Sequence, residues 1–337
     1  MGSMIEVKNL TKSFKTAKKY PGFKGAVKSL FTNEKVIKTA VSKLSFSIDE
    51  GEIVGYIGAN GAGKSTTIKM MTGILVPTSG SCTVNGILPY KERKKNAKNI
   101  GVVFGQRTQL WWDLPLTETF SILKGIYQVQ DADYRKRIDF IYEVLGIKEF
   151  ELSTVRTLSL GQRMRADLGA ALLHNPKVLY LDEPTIGLDV LVKDKIRDAI
   201  RQINKEYNTT VVLTTHDLSD IESLCRHIII IDQGKKIYDG NSDDLKERFG
   251  AKRTITLAIN DVNNFNKVDY NQMFGLPENE LSVAIEENNL IVSFVKDKIS
   301  ASKIASGIIA LGDVGDMTIE EPDLNSIVKE IYMNGGK

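Results

Sequence analysis

Apolar and polar residues alternate in two short runs near the start of the chain, Ile5-Glu6-Val7-Lys8-Asn9-Leu10 and Leu44-Ser45-Phe46-Ser47-Ile48. That period of two predicts strands with one buried face. A more continuous apolar run, Glu52-Ile53-Val54-Gly55-Tyr56-Ile57, leads into a glycine-rich stretch, and Thr66, Thr67, Ile68, Lys69 and Met70 then open a helix. Strands and helices alternate over 52–110, and 117–157 reads as mostly helical. Val178-Leu179-Tyr180-Leu181, Thr210-Val211-Val212-Leu213 and Ile228-Ile229-Ile230-Ile231 do not alternate at all. Such runs fit parallel strands covered on both faces. The charged helix 191–206 separates the first two.

Near residue 250 the pattern changes. Residues 254–259, 281–285 and 290–295 read as antiparallel strands, the last two joined by Glu286-Glu287-Asn288-Asn289, with helices over 299–311 and 323–333. The expected organisation is an α/β domain over 4–250 and a small α+β domain over 251–337. Between the first two strands lies an insert, about 15–38. Its Phe23, Ala26, Val27, Leu30 and Phe31 fall at i, i+3, i+4, i+7 and i+8, one stripe of a helix that Pro21 could start.

Composition narrows the class. With 337 residues, 42% hydrophobic and 26% charged, the chain is an ordinary globular one with room for two domains. Its longest aliphatic run, 228–231, falls far short of the roughly 20 residues that cross a bilayer, so any membrane work would belong to a partner. Cys82 and Cys225 lack metal spacing and read as reduced thiols. The net charge of +3 is unevenly spread: 12–38 carry eight lysines against Glu34, whereas 251–337 carry 8 basic and 13 acidic residues. One basic segment suits a single anionic surface such as lipid headgroups, or a solvated loop, better than a nucleic-acid reading face, so no nucleic-acid partner is expected.

The chemistry begins at Gly58-Ala59-Asn60-Gly61-Ala62-Gly63-Lys64-Ser65, which fits G-x-x-x-x-G-K-[ST] between a strand and a helix. Glycines let several N–H groups point at one anion, and the helix N-terminus adds its partial positive charge. Lys64 is expected to reach the β- and γ-phosphates of a nucleoside triphosphate, and the Ser65 hydroxyl to ligate Mg²⁺. Downstream, the apolar strand 178–181 ends in Asp182-Glu183. Asp182 would serve the metal, and Glu183 would accept a proton from an attacking water.

Three further pieces point to a family. Leu158-Ser159-Leu160-Gly161-Gln162 resembles the LSGGQ signature of the ABC ATPases, Gln106 in Val102-Val103-Phe104-Gly105-Gln106 resembles their Q-loop, and His216 and Asp189 resemble their switch histidine and D-loop. The resemblance covers about 4–240. It implies a P-loop NTPase of the ABC type, with a mixed sheet core and a helical subdomain over about 107–165. It also implies ATP and Mg²⁺ as cofactors, held by Gly58, Asn60, Gly61, Ala62, Gly63, Lys64, Ser65 and Thr66, with Ser65, Gln106 and Asp182 serving the metal. Glu183, His216, Gln106 and Lys64 are the implied catalytic residues.

The family works as a head-to-tail dimer, homodimeric or pseudo-symmetric, in which Ser159 and the Gly161 backbone of one copy would cap the γ-phosphate held by the other, and Gln162 and Asp189 are further implied nucleotide-binding residues. Leu160 departs from the consensus glycine, which puts the rate rather than the site in question. Phe14 is the expected adenine-stacking aromatic, with Tyr20 as its rival. A separate membrane permease is the implied partner, placing the chain at the cytoplasmic face of the cell membrane. The basic insert resembles the gate-type helix of exporters with type-two permeases, so export is expected and import is the alternative. Gln109-Leu110-Trp111-Trp112-Asp113-Leu114 would either line the permease socket or belong to the helical core. A soluble, non-transport ABC ATPase is a further alternative, although only one cassette is present and no long coiled coil interrupts it. The cargo is not written in the chain.

Overall fold

Strands β1 (Ser3–Ala17) and β2 (Lys35–Asp49) pair antiparallel, and β4 (Ser79–Val84) pairs on the other side of β1, giving a three-stranded sheet. The computed structural model describes residues 2–17, 35–105, 107–249, 252–321 and 323–333. Gln106, Tyr20 and the apolar stripe of the insert lie outside the described residues. The two strands run further into the expected insert than alternation suggests, with Phe14 opposite Lys38 and Ala17 opposite Lys35. Lys15, Thr16, Val36 and Ile37 are exposed there. Backbone pairing, without a buried face, leaves no period of two to read.

A six-stranded sheet follows the order β5-β6-β7-β3-β8-β9. Its members are β3 (Ile53–Gly58), β5 (Ile100–Phe104), β6 (Val178–Asp182), β7 (Thr210–Thr214), β8 (His227–Asp232) and β9 (Lys235–Asn241). The pairs β5–β6, β6–β7, β7–β3 and β3–β8 are parallel. Every residue of β7 and all four isoleucines of β8 are buried. Burying one such aliphatic side chain contributes about 1.5–3 kcal/mol.

The helices of this part are α1 (Lys64–Met71), α2 (Arg93–Asn99), α3 (Leu116–Tyr127), α4 (Asp131–Leu145), α5 (Leu160–Leu172), α6 (Val190–Tyr207) and α7 (Leu218–Leu224). α1 begins at Lys64 itself, two residues before the position expected from the helical pattern. α6 buries Ile196, Ala199, Ile200 and Ile203, spaced i, i+3, i+4 and i+7, and ends on Asn208 in the left-handed region.

The chain divides into two compact units, Met1–Gly240 and Asn241–Lys337, earlier than the boundary expected near 250. The reason is α8 (Ser242–Phe249), which packs against α12 (Leu324–Met333) in the second unit. That unit also holds a four-stranded antiparallel sheet, ordered β11 (Leu281–Glu286), β12 (Asn289–Val295), β10 (Lys252–Ile259) and β13 (Val314–Glu320). Helices α9 (Val262–Phe265), α10 (Tyr270–Phe274) and α11 (Ala301–Ile309) complete it. Ile255, Leu257, Leu281, Leu290, Val292 and Phe294 form its own core with Ile304 and Ile308. Strand β13 was not visible as a pattern in the sequence, because most of its residues are exposed.

Candidate active site

Parallel pairing of β6, β7 and β3, neighbours inside the central sheet, brings Asp182, Thr214 and Gly58 together at its carboxyl end. The loop after β3 turns into α1 through Gly63, at φ 107°, where an added Cβ would stand 2.6 Å from the Ala40 carbonyl oxygen. Only glycine fits that turn. The first N–H groups of α1 then have no acceptor one turn back. Asn60, Gly61 and Ser65 are exposed, Thr66 is half-buried, and Gly58 and Ala62 are buried supports.

Lys64 is 8% exposed, and its Nζ donates to the carbonyls of Gly58 and, at 3.4 Å, Ala59. Burial lowers its pKa, opposed by the charges of Glu183 and Asp182. A buried ammonium ringed by carbonyls, beneath exposed N–H and hydroxyl groups, fits a polyanion such as a triphosphate.

Asp182 accepts from the Thr214 hydroxyl at 2.5 Å. Glu183 sits in the left-handed region at φ 57°, uncommon for a side chain of its kind. Its N–H donates to Thr214 O at 2.9 Å, and Gly105 N donates to Asp182 O at 2.7 Å. A Cβ at Gly105 would lie 2.0 Å from Glu183 O, so the strand end of β5 is pressed against this residue. The Glu183 carboxyl accepts from the backbone N–H of His216 at 3.2 Å, and His216 Nε2 lies 3.3 Å from its other oxygen. Burial raises the Glu183 pKa and Asp182 adds to that, while His216 and Lys64 oppose it. A half-buried carboxyl with a raised pKa, next to a lysine and a histidine, is equipped to accept a proton.

The signature residues stand apart from this cluster in the sequence of elements, at the start of α5. Ser159 and Gln162 form a reciprocal cap: the Ser159 hydroxyl accepts from Gln162 N at 3.2 Å, and the Gln162 side chain accepts from Ser159 N at 2.9 Å. Gly161 faces Val192 of α6, and Leu160 is exposed. Asp189 caps α6 by accepting from Val192 N. Phe14 is exposed, with Lys12 Nζ 5.3 Å from its ring centre. Trp111 and Trp112 are 39% and 51% exposed, and the Arg163 guanidinium stands 5.6 Å from the Trp112 ring.

Two buried carboxylates near the site carried no recognisable sequence signal. Asp167 of α5 accepts from the Thr108 hydroxyl at 2.9 Å and Gln109 N at 3.0 Å, just past position 106. Its pKa is raised to about 6 by burial, against the lowering effect of those bonds and of Arg163. Asp220 of α7 is fully buried and meets Thr185, Thr215 and Arg197. Only folding brings these residues together.

Residues 41–186 match the family model described as ABC transporter. The chain is 33% identical over 291 residues to the linearmycin resistance ATP-binding protein LnrL of Bacillus subtilis, covering 86% of this chain and 92% of that protein. It is 31% identical to the methionine import ATP-binding protein MetN 2 of Enterococcus faecalis, covering 65% and 64% of the two chains. Among solved structures, a dimeric ATP-binding cassette in a post-hydrolysis state with ADP and Pi superposes with a TM-score of 0.59 at 27% identity, over 71% of this chain and 98% of that one. With the phosphate loop, the strand-end carboxylates and these matches in agreement, the chain belongs to the ABC transporter family as an ATP-binding subunit that hydrolyses ATP to drive transport.

Proposed function

We propose that this subunit powers export through a separate membrane permease, working at the cytoplasmic face of the membrane as one half of an ATP-closed dimer. The observation that carries the hydrolytic part is the Glu183 carboxyl, half-buried, with a raised pKa and both oxygens engaged by His216. In this reading Glu183 takes the proton of the attacking water and His216 orients that carboxylate. Lys64 and the N–H groups from Gly58 to Thr66 bind phosphate oxygens. Ser65, Asp182 and, from the sequence, Gln106 would hold Mg²⁺, which supplies charge neutralisation on the phosphates when bound. Ser159, Gly161 and Asp189 are exposed or half-buried and therefore free to meet a second copy.

Export is supported by the likeness to LnrL, named for resistance, over most of both chains. The exposed Trp111 and Trp112, just past position 106, are suited to receive a permease loop. Import is the second reading, favoured by the likeness to MetN 2. No helix among the described residues is long and apolar enough to cross a membrane, in keeping with a peripheral subunit.

Inside-out membrane vesicles carrying this subunit and its permease separate the two directions. Export predicts ATP-driven accumulation of cargo inside the vesicles, with linearmycin as the first probe. ATP-driven release of preloaded cargo would establish import instead.

A further inference from the structure

The Asp220 carboxylate is divided between two tasks. Oδ1 takes the Arg197 guanidinium of α6, with Nε at 2.7 Å and Nη2 at 2.5 Å. Oδ2 takes two hydroxyls, Thr185 Oγ1 at 2.5 Å and Thr215 Oγ1 at 3.3 Å. Thr185 follows Glu183 by one proline, and Thr215 directly precedes His216. One buried carboxylate therefore fixes the spacing between the segment that carries Glu183 and the segment that carries His216. Thr185, Thr215 and Asp220 are all buried, and the Arg197 side chain is 14% exposed, so water does not compete well for these bonds.

Arg197 extends the connection. It belongs to α6, whose N-cap is Asp189, and it also bonds Ser219 of α7 at 2.7 Å. A second rung, Lys193 to Asp217 at 2.5 Å, and a third, Arg201 to Ser223, dock α6 along α7. Of the three rungs, Asp220 is the one whose acceptor also holds the two threonines.

We propose that Asp220 is a positioning residue for hydrolysis, setting the distance between Glu183 and His216 through Thr185 and Thr215 and tying that distance to the D-loop helix through Arg197. The proposal rests on Glu183 acting as the base. Loss of the carboxylate charge leaves the largely buried guanidinium with the Asp194 carboxylate, 3.0 Å from Nη1, as its remaining ion partner, and it puts an amide N–H where either the guanidinium or the threonine hydroxyls had an acceptor. Glu183 and His216 would then keep their identities but lose their fixed separation, a change felt in the chemical step rather than in ATP binding.

Asp220→Asn in the full-length protein is the primary test, measured as kcat, ATP Kd and thermal midpoint. The expected result is a kcat at least tenfold lower with ATP Kd within about twofold of the parent. Thr185→Val and Thr215→Val, which leave the ion pair intact, should each lower kcat by several fold and together approach Asp220→Asn. They also carry the test if Asp220→Asn does not fold. Arg201→Gln, which loosens only the far rung, should leave kcat unchanged. In the Glu183→Gln background Asp220→Asn should slow turnover no further, the non-additivity expected of residues acting through one group.

The proposal is overturned if the threonine variants keep parental kcat, or if Arg201→Gln lowers it as much as Asp220→Asn does. Either outcome would make the network a helix-docking device only. Parental turnover by Glu183→Gln alone would instead remove the assignment of the base.

Discussion

His216 grips both oxygens of the Glu183 carboxyl, one with its backbone N–H at 3.2 Å and the other facing its Nε2 at 3.3 Å. The contact joins the ends of β6 and β7, and it fixes the direction in which the carboxyl can present a lone pair. Burial already raises the pKa of that carboxyl, so its proton affinity is greater than that of an exposed glutamate.

Glu183→Gln removes the proposed proton acceptor while keeping the shape of the side chain. Steady-state ATP turnover should fall about 10²–10⁴-fold, with ATP affinity retained because Lys64 and the phosphate loop are untouched. A size measurement with and without ATP should show the variant accumulating as an ATP-bound dimer. Turnover at the parental rate would refute the role given to Glu183.

What the sequence made legible follows from where its signals are local. The phosphate loop, Asp182-Glu183 and the buried parallel strands are each written in consecutive residues, and folding places them at adjoining strand ends. Ser159 and Gln162 were legible as signature residues, and their spacing of three is also that of a capping box, a second local signal that α5 realises at its first turn. Asp220 and Asp167 were illegible because their partners lie on other elements: Arg197 and Thr185 for the first, Thr108 and Gln109 for the second. Strand β13 escaped because Met317 and Ile319 alternate along an exposed edge beside Asp316 and Glu320, leaving no buried run to detect.

Gly105→Ala tests the close approach behind Glu183. The new Cβ would stand 2.0 Å from a backbone carbonyl, which cannot rotate aside as a side chain could. The loop must shift, at a cost of about 1–3 kcal/mol. Lower thermal stability and a turnover reduced at least tenfold are expected, with the loss larger in kcat than in ATP affinity. An unchanged kcat would mean that the loop holding Glu183 tolerates displacement.

Asp167 gives a pH dependence whose sign is fixed by burial. In the folded chain its carboxyl holds a proton up to about pH 6, against an ordinary value of 3.8. The native state therefore binds more protons than the unfolded state between about pH 4 and pH 6, and stability falls as pH rises through that window. Relative to Asp167→Asn, which does not titrate, the parent should lose on the order of 2–3 kcal/mol of unfolding free energy from pH 4 to pH 7. Denaturant titrations of both proteins at several pH values measure this difference. A difference independent of pH would show that Asp167 ionises normally.

The second unit, Asn241–Lys337, has its own core and lacks a phosphate loop, so catalysis should be separable from it. Its edge strand β13 pairs with β10 on one side and leaves Met317 and Ile319 39% and 48% exposed, an arrangement suited to meeting the same strand of a second copy. A chain ending at Gly240 should fold and hydrolyse ATP within a few fold of the parent, while association in the absence of nucleotide weakens. Met317→Lys with Ile319→Lys in the full chain should weaken association in the same way, because paired copies would bring like charges together. Sedimentation velocity over a concentration series, alongside turnover, reads both effects. An insoluble truncation would make the unit part of the catalytic core. Unaltered self-association of the double lysine variant would remove β13 from the contact between copies.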